Sequence, residues 1–163
     1  MQNSTPAVFL CQRQNHQVCI DEAVRNAETL CRNHQQRFTA TRRRVLELVW
    51  QQHKPIGAYE VLELLQQSGR SAPPTVYRAL DFLQRMGLVH RIASLNAYVG
   101  CAHPDKPHDG QFLICTSCKS SAELDVPAIT SAIEQSAVAS GFEAHHQTVE
   151  IMGLCPDCAG RAL

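Results

Sequence analysis

The chain has 163 residues, of which 44% are hydrophobic and 18% charged, so it can bury a core in one domain or two small ones, and global disorder is excluded. Its 15 basic and 15 acidic side chains cancel, but residues 1–100 carry a net +5 and residues 101–163 a net −5, which predicts two halves with different tasks. No apolar run approaches the about 18 residues that span a bilayer, and none is long enough for a signal peptide. We therefore expect a soluble, cytoplasmic protein with no membrane partner.

The first hundred residues have the pattern of a winged helix-turn-helix. The polar, irregular stretch 1–19 is expected to be a mobile arm. Apolar positions then recur at helical spacing in three segments, and a fourth helix begins at the prolines of Ser71–Leu80 and ends at Gly87. The three earlier helices are predicted over 20–34, 41–53 and 58–67, and two hairpin strands over 88–92 and 97–100. Helices followed by a hairpin make residues 20–100 a winged-helix domain.

The remaining residues predict a hinge and a small α/β domain. Residues 101–110 contain two prolines, two histidines and a glycine, which is typical of a hinge. Beyond them the pattern predicts strands over 111–115, 122–125 and 142–151, with a helix over 127–140. A domain of this size, over residues 111–163, is marginal alone, so a metal and a dimer partner are both reasonable supports.

Four of the eight cysteines form two C-x-x-C pairs, Cys115 with Cys118 and Cys155 with Cys158. Four thiolates at this local spacing can complete a tetrahedral zinc site, and a closed set of this kind is structural. The alternative is a pair of redox motifs. A thioredoxin-like motif needs one pair at a strand-to-helix turn, whereas here two pairs flank a whole α/β unit.

Cys101 stands apart from these cysteines in a stretch rich in histidine. His90 precedes it, and His103 and His108 follow it. One thiolate, two imidazoles and one carboxylate would make a second, mixed tetrahedral set, and Glu123 is one of several candidate carboxylates. Spacing alone does not select the members, and a lone histidine is more often a surface residue than a ligand.

The string Pro73–Leu80, the hairpin Leu88–Arg91 and the two spaced C-x-x-C pairs resemble the ferric uptake regulator family of bacterial metal-sensing repressors, and within it the zinc-sensing branch. The resemblance extends over about residues 22–158. It implies an α+β fold in which an N-terminal winged helix-turn-helix is joined by a hinge to a C-terminal α/β dimerisation domain.

The resemblance also implies two zinc ions per chain. The four C-x-x-C cysteines fall on the family's structural zinc site, and the regulatory site of the zinc branch falls on His90, Cys101, His108 and Glu123. His103 is a near neighbour with no matching position in the family, and it is kept only as an alternative ligand. A soft thiolate favours zinc, and the histidine run of the iron and peroxide sensors is reduced here to Pro107–Gly110. A third family site is not expected, since Met152 stands where a histidine would ligate and His145 and His146 are interpreted as solvated. Cys11, His16 and Cys19 lie in an extension that the family does not require, and we expect no ligand role for them.

These assignments predict a zinc-responsive repressor in which zinc is the corepressor, acting as a homodimer on a palindromic double-stranded DNA operator upstream of zinc-uptake genes. The apolar stripe of the fourth helix leaves Thr75, Arg78 and Arg85 on its other face, and Arg78 is the candidate for base contact. Tyr77 and Tyr59 fit either the core or DNA, Tyr59 being placed at DNA by the resemblance.

The run Arg42, Arg43 and Arg44 is interpreted as a set of phosphate contacts, with a solvated face as the alternative. No zinc-hydrolase or deaminase motif is present in the sequence, so no catalytic residue and no small-molecule substrate are expected. The alternatives that stay open are a sensor of another divalent metal and a peroxide- or redox-responsive regulator of the same family.

Overall fold

A computed structural model describes residues 16–52, 54–69, 71–106 and 108–160. The described residues fall into two compact units, one over residues 16–106 and the other beginning at His108. This division lies inside the segment predicted as a hinge. Most of the predicted arm, residues 1–15, lies outside the described residues, and so do the candidate residue Cys11 and the side chain of His16. In the described segments no helix combines the length and apolar character needed to cross a bilayer.

The first unit is a winged helix. It contains helices α1 (His16–Asn33), α2 (Ala40–Gln51), α3 (Ala58–Gln67) and α4 (Pro73–Arg85), and strands β1 (Ile56–Gly57), β2 (Val89–Ile92) and β3 (Ala97–Gly100). The strands form an antiparallel sheet in the order β1-β3-β2. β1 was not predicted from the sequence, because two residues are too few to show a period.

Local signals place the helices of this unit. The Thr39 hydroxyl accepts a hydrogen bond from the Arg42 N–H at 3.3 Å and so caps α2, whereas the sequence left Thr39 and Thr41 as alternatives for this cap. Val76, Leu80 and Leu83, which belong to the predicted apolar stripe of α4, are buried. α1 begins at His16, so residues 16–19 are helical and not part of an arm. The reason is packing, because Cys19 and Ile20 rest against the buried core.

The second unit is a three-stranded sheet with two helices. Its elements are β4 (Gly110–Cys115), β5 (Ser121–Glu123), α5 (Pro127–Ala139), β6 (Thr148–Gly153) and α6 (Pro156–Ala159). β4 pairs antiparallel with β5 and parallel with β6. The prediction of a strand from residue 142 is wrong over 142–147: Gly141, with φ of +68°, ends α5, and the following residues bring the chain back to the start of a strand parallel to β4.

Candidate metal centres and nucleic-acid interface

The four C-x-x-C cysteines come together in the second unit. Their Sγ atoms all lie within 4.8 Å of one another, and the Cys118 and Cys155 sulfurs are 3.7 Å apart. Four sulfurs at about 2.3 Å from one zinc ion would be about 3.8 Å apart, so the cluster fits this metal. Cys115 and Cys155 are buried, while Cys118 and Cys158 are half-buried.

The parallel pairing of β4 with β6 builds this cluster. It sets Cys115, the last residue of β4, opposite Gly153, and the Thr116 N–H continues the ladder by donating to the Gly153 carbonyl at 2.8 Å. Cys155 follows two residues later, where it precedes the first turn of α6, which carries Cys158. Neighbouring strand ends therefore bring together cysteines that are 40 residues apart in sequence.

Hydrogen bonds prepare part of the cluster to bind a cation. Backbone N–H groups of Cys155 and Cys118 lower the pKa of the Cys115 thiol to about 6. The Ser120 hydroxyl, 2.9 Å from the Cys118 sulfur, lowers the pKa of that thiol. The Ser117 hydroxyl lowers the pKa of Cys158, but the neighbouring cysteines and burial outweigh it and raise that pKa to about 11. The sequence analysis missed both serines, although their positions beside the first C-x-x-C pair could have indicated them.

Two predicted ligands of the mixed set, His108 and Glu123, meet in the second unit. The His108 Nε2 and Glu123 Oε1 atoms are 2.7 Å apart, and both side chains are largely buried. Glu123 ends β5, directly opposite Phe112 on β4, and His108 lies two residues before β4 begins. Strand pairing thus brings together an imidazole and a carboxylate from positions 15 residues apart.

The other two predicted ligands, His90 and Cys101, meet in the first unit. His90 pairs with Val99 across the hairpin, and the Cys101 N–H donates to the Leu88 carbonyl at 3.0 Å. Cys101 is therefore a diagonal neighbour of His90 on the same face of the wing, and their ligand atoms lie within 4.8 Å. Cys101 is buried and His103 is exposed.

The remaining histidines of interest are solvated, as the sequence analysis expects. His145 and His146 are exposed, with His145 Nδ1 4.0 Å from the Glu143 carboxylate and His146 Nε2 3.3 Å from the Thr148 hydroxyl. Among the described residues they join no group of three metal ligands.

The predicted DNA-contacting residues of the third and fourth helices are exposed. Thr75, Arg78 and Tyr77 lie on the outer surface of α4, and Tyr59 on α3 is 72% exposed. Tyr77 is 41% exposed, so the alternative of core packing is excluded for both tyrosines. An exposed helix that carries an arginine and hydroxyl groups can enter a major groove.

The arginines of α2 have partners within the protein. Arg43 forms an ion pair with Glu28 of α1, and Arg44 pairs with Glu47 at 3.0 Å. The Arg42 guanidinium lies over the ring of Phe82 on α4 and donates to the Arg37 carbonyl. Arg42 therefore packs on the protein, whereas Arg43 forms its ion pair at the surface. Glu28 and Phe82 come from distant segments, so the sequence held no local signal for them, whereas Glu47 is a local partner three residues after Arg44.

The second unit has an exposed apolar surface. No residue of α5 is buried, and β6 has no fully buried residue either. The large exposed hydrophobic side chains of this unit are Ile133, Val138, Phe142, Ile151, Met152 and Leu154. Four of these side chains lie on α5 and β6 and the other two lie within three residues of their ends, which indicates a surface that binds another protein surface.

Comparisons with known proteins agree on one family. The model of the ferric uptake regulator family matches residues 33–152. The zinc uptake regulation protein of Escherichia coli (strain K12) is 38% identical over 139 residues, covering 84% of this chain and 81% of the relative. The relative from Mycobacterium tuberculosis (strain H37Rv), with the same description, is 30% identical over 105 residues, covering 62% of this chain and 78% of that protein.

Solved structures agree as well. A zinc uptake regulator complexed with zinc and DNA is 36% identical, with a TM-score of 0.85 over 88% of this chain and 97% of that one. A crystal structure described as holo XcZur is 43% identical, with a TM-score of 0.81 over 86% of this chain and 99% of that one. The predicted α+β class, a winged helix followed by an α/β domain, is confirmed.

Proposed function

Since the chain belongs to the ferric uptake regulator family, we propose that it is a zinc-responsive transcriptional repressor, a DNA-binding regulator and not an enzyme, with zinc as the corepressor. The observation that carries the proposal is the donor pair on the wing, where a buried cysteine and a histidine share one face of the hairpin that follows the recognition helix α4. A metal bound there acts on the unit that reads DNA. The thiolate favours zinc over ferrous iron.

One of two zinc ions per chain is proposed to bind Cys115, Cys118, Cys155 and Cys158. Four thiolates leave no position for water or substrate, so this ion is structural. The small second unit explains the need for it, because α5 and β6 contribute no buried residue to a core in a single chain.

The second zinc ion is proposed to take His90 and Cys101 from the winged helix and His108 and Glu123 from the second unit. One sulfur, two nitrogens and one oxygen complete a tetrahedral shell. Since the ligands come from both units, the bound ion holds the units in one arrangement. In a two-fold dimer this fixes the spacing of two recognition helices, as a palindromic operator requires.

For DNA contact we propose Arg78 at a base edge, with Thr75, Tyr77 and Tyr59 at the backbone. Arg44 is the exposed member of the arginine run, and we propose that it contacts a DNA phosphate together with its neighbour Arg43. The operator lies upstream of zinc-uptake genes, and the protein acts on it in the cytoplasm without a small-molecule substrate.

A homodimer formed through the apolar surface of α5 and β6 is part of the proposal. Sedimentation should give a dimer for the parent and a monomer for Ile151→Asp, because a carboxylate would be buried in the interface. Gln67→Asp, a control on the exposed surface of α3, should remain dimeric. A dimeric Ile151→Asp variant would place the interface elsewhere.

A DNA titration at buffered free zinc tests the function. DNA from upstream of zinc-transporter genes is titrated by fluorescence anisotropy at fixed salt, with the parent, Cys101→Ser and Cys31→Ser. Cys31 is a matched control, since it is a buried cysteine of the α1 core. The parent and Cys31→Ser should bind above a zinc threshold and Cys101→Ser should not. Equal binding of all three without added zinc would overturn the zinc-sensor proposal.

A further inference from the structure

Arg42 lies where three parts of the winged helix meet. Its guanidinium carbon is 3.4 Å from the centroid of the Phe82 ring on α4. The same guanidinium donates a hydrogen bond to the Arg37 carbonyl in the segment before α2. Its backbone N–H is bound by Thr39, the cap of the helix. Both ends of this residue are therefore fixed by contacts inside the protein.

The ring beneath Arg42 is itself buried. Phe82 is 3% exposed and belongs to the core of the unit. A guanidinium within about 6 Å of an aromatic centroid is attracted by the ring face, and more strongly where water is excluded. Phe82 lies four residues, about one helical turn, after Arg78 on α4, so the packing of this ring holds the turn that presents Arg78.

Arg42 is also close to α1. Burial raises the pKa of the Cys31 thiol, and the charge of Arg42 partly lowers it. By contrast, the Arg44 guanidinium is exposed and pairs only one turn further along its own helix, with Glu47. Two arginines in one run thus have different surroundings: one faces the protein and one faces solvent.

We propose that Arg42 is a positioning residue for the recognition helix, acting through Phe82, and does not contact a DNA phosphate. The inference rests on the proposed function, in which α4 reads the operator. A phosphate ligand must direct its guanidinium toward DNA, whereas Arg42 directs its guanidinium at an aromatic face and a backbone carbonyl. Arg42 therefore influences DNA binding only through the placement of Arg78.

The test measures affinity against salt concentration for the zinc-loaded protein, on operator DNA and on random DNA of the same length. The variants are Arg42→Lys, Arg42→Gln, Phe82→Leu and the double variant Arg42→Lys/Phe82→Leu. Arg44→Gln, at the proposed phosphate contact, is the comparison and should lower the salt slope by about 0.9. Melting curves establish a temperature at which every variant is folded. If the parent shows no zinc-dependent operator binding, the proposed function fails, and this failure is distinct from any result on the variants.

A positioning role predicts that Arg42→Lys loses about 2- to 30-fold in operator affinity, the range of a cation–π contact, because an ammonium does not reproduce the stacked guanidinium. Random-DNA affinity and the salt slope should stay at the parent values for Arg42→Lys. Phe82→Leu should show a similar loss, and the double variant no more than the larger single loss.

Three results would overturn the inference. In the first, Arg42→Lys binds operator DNA with parental affinity while Arg42→Gln lowers the salt slope by about 0.9, which is the signature of a phosphate contact. Another is an equal loss on operator and random DNA, which indicates a general structural effect. Additive losses in the double variant would show that Arg42 does not act through Phe82. Should Phe82→Leu not fold, the Arg42→Lys and Arg42→Gln comparison decides alone.

Discussion

Gly100 is the last residue of β3, and an added methyl group at this position should destabilise the winged helix. An added Cβ would lie 2.2 Å from Cε2 and 2.3 Å from Nε1 of Trp50. Trp50 lies on α2 and is largely buried, so the indole has little room to move. Either the indole or the end of β3 must shift.

Such overpacking costs about 1–3 kcal/mol. In a unit of this size it should lower the melting temperature by about 5–20 °C. The end of β3 leads directly into Cys101, so a shift there also moves a proposed zinc ligand away from His90. Gly100→Ala should therefore raise the free zinc concentration needed for DNA binding, beyond what its loss of stability explains.

Trp50 is the only tryptophan, so thermal unfolding followed by its fluorescence reports on the winged helix. Gly57→Ala is a matched control, since Gly57 lies in the same sheet with φ of −74° and no atom within 4 Å of an added Cβ. That variant should melt within a few degrees of the parent. If Gly100→Ala melts together with Gly57→Ala, the packing argument is wrong.

Three further outcomes are expected. Cys115→Ser should lower the zinc content by one ion per chain, by elemental analysis, and abolish the dimer in sedimentation, because this small unit depends on its metal. Ser120→Ala removes the hydroxyl that lowers the pKa of Cys118, so protons compete better with the metal. Zinc release on acidification, followed with a chromogenic chelator, should therefore begin at a higher pH. The control Ser131→Ala, on the exposed surface of α5, should not change this pH. Thr39→Ala should destabilise the winged helix by about 1 kcal/mol in urea unfolding, since α2 loses its cap.

Local patterns made most of the fold predictable. The Thr39 cap, the prolines at 73 and 74 and the apolar stripes specify α2, α3 and α4 within two residues, since each signal acts within one or two turns. The errors fall where tertiary packing decides. α1 extends to His16 because Cys19 and Ile20 find a core to cover, and residues 142–147 connect to a parallel strand instead of forming one.

The candidate sites divide in the same way. The four cysteines of the structural set follow from C-x-x-C spacing, because each pair is local. Spacing did not select His108 and Glu123, since their 2.7 Å contact depends on the pairing of β5 with β4, and the family resemblance supplied them. The partners of the arginine run, Glu28 and Phe82, lie 15 and 40 residues from their arginines and result from helix packing alone.

The two proposed zinc sites should differ in affinity for a reason that follows from connectivity. The four cysteine ligands belong to one unit, whose paired strands already hold the sulfurs within 4.8 Å. The proposed mixed set would take ligands from two units, so part of its binding free energy would be spent on ordering one unit against the other. A chelator should therefore remove the mixed-site zinc first. Operator DNA favours the same ordered arrangement. It should therefore raise the affinity of the mixed site for zinc by the same factor by which zinc raises the affinity for operator DNA. The affinity of the cysteine site for zinc should not change when DNA binds.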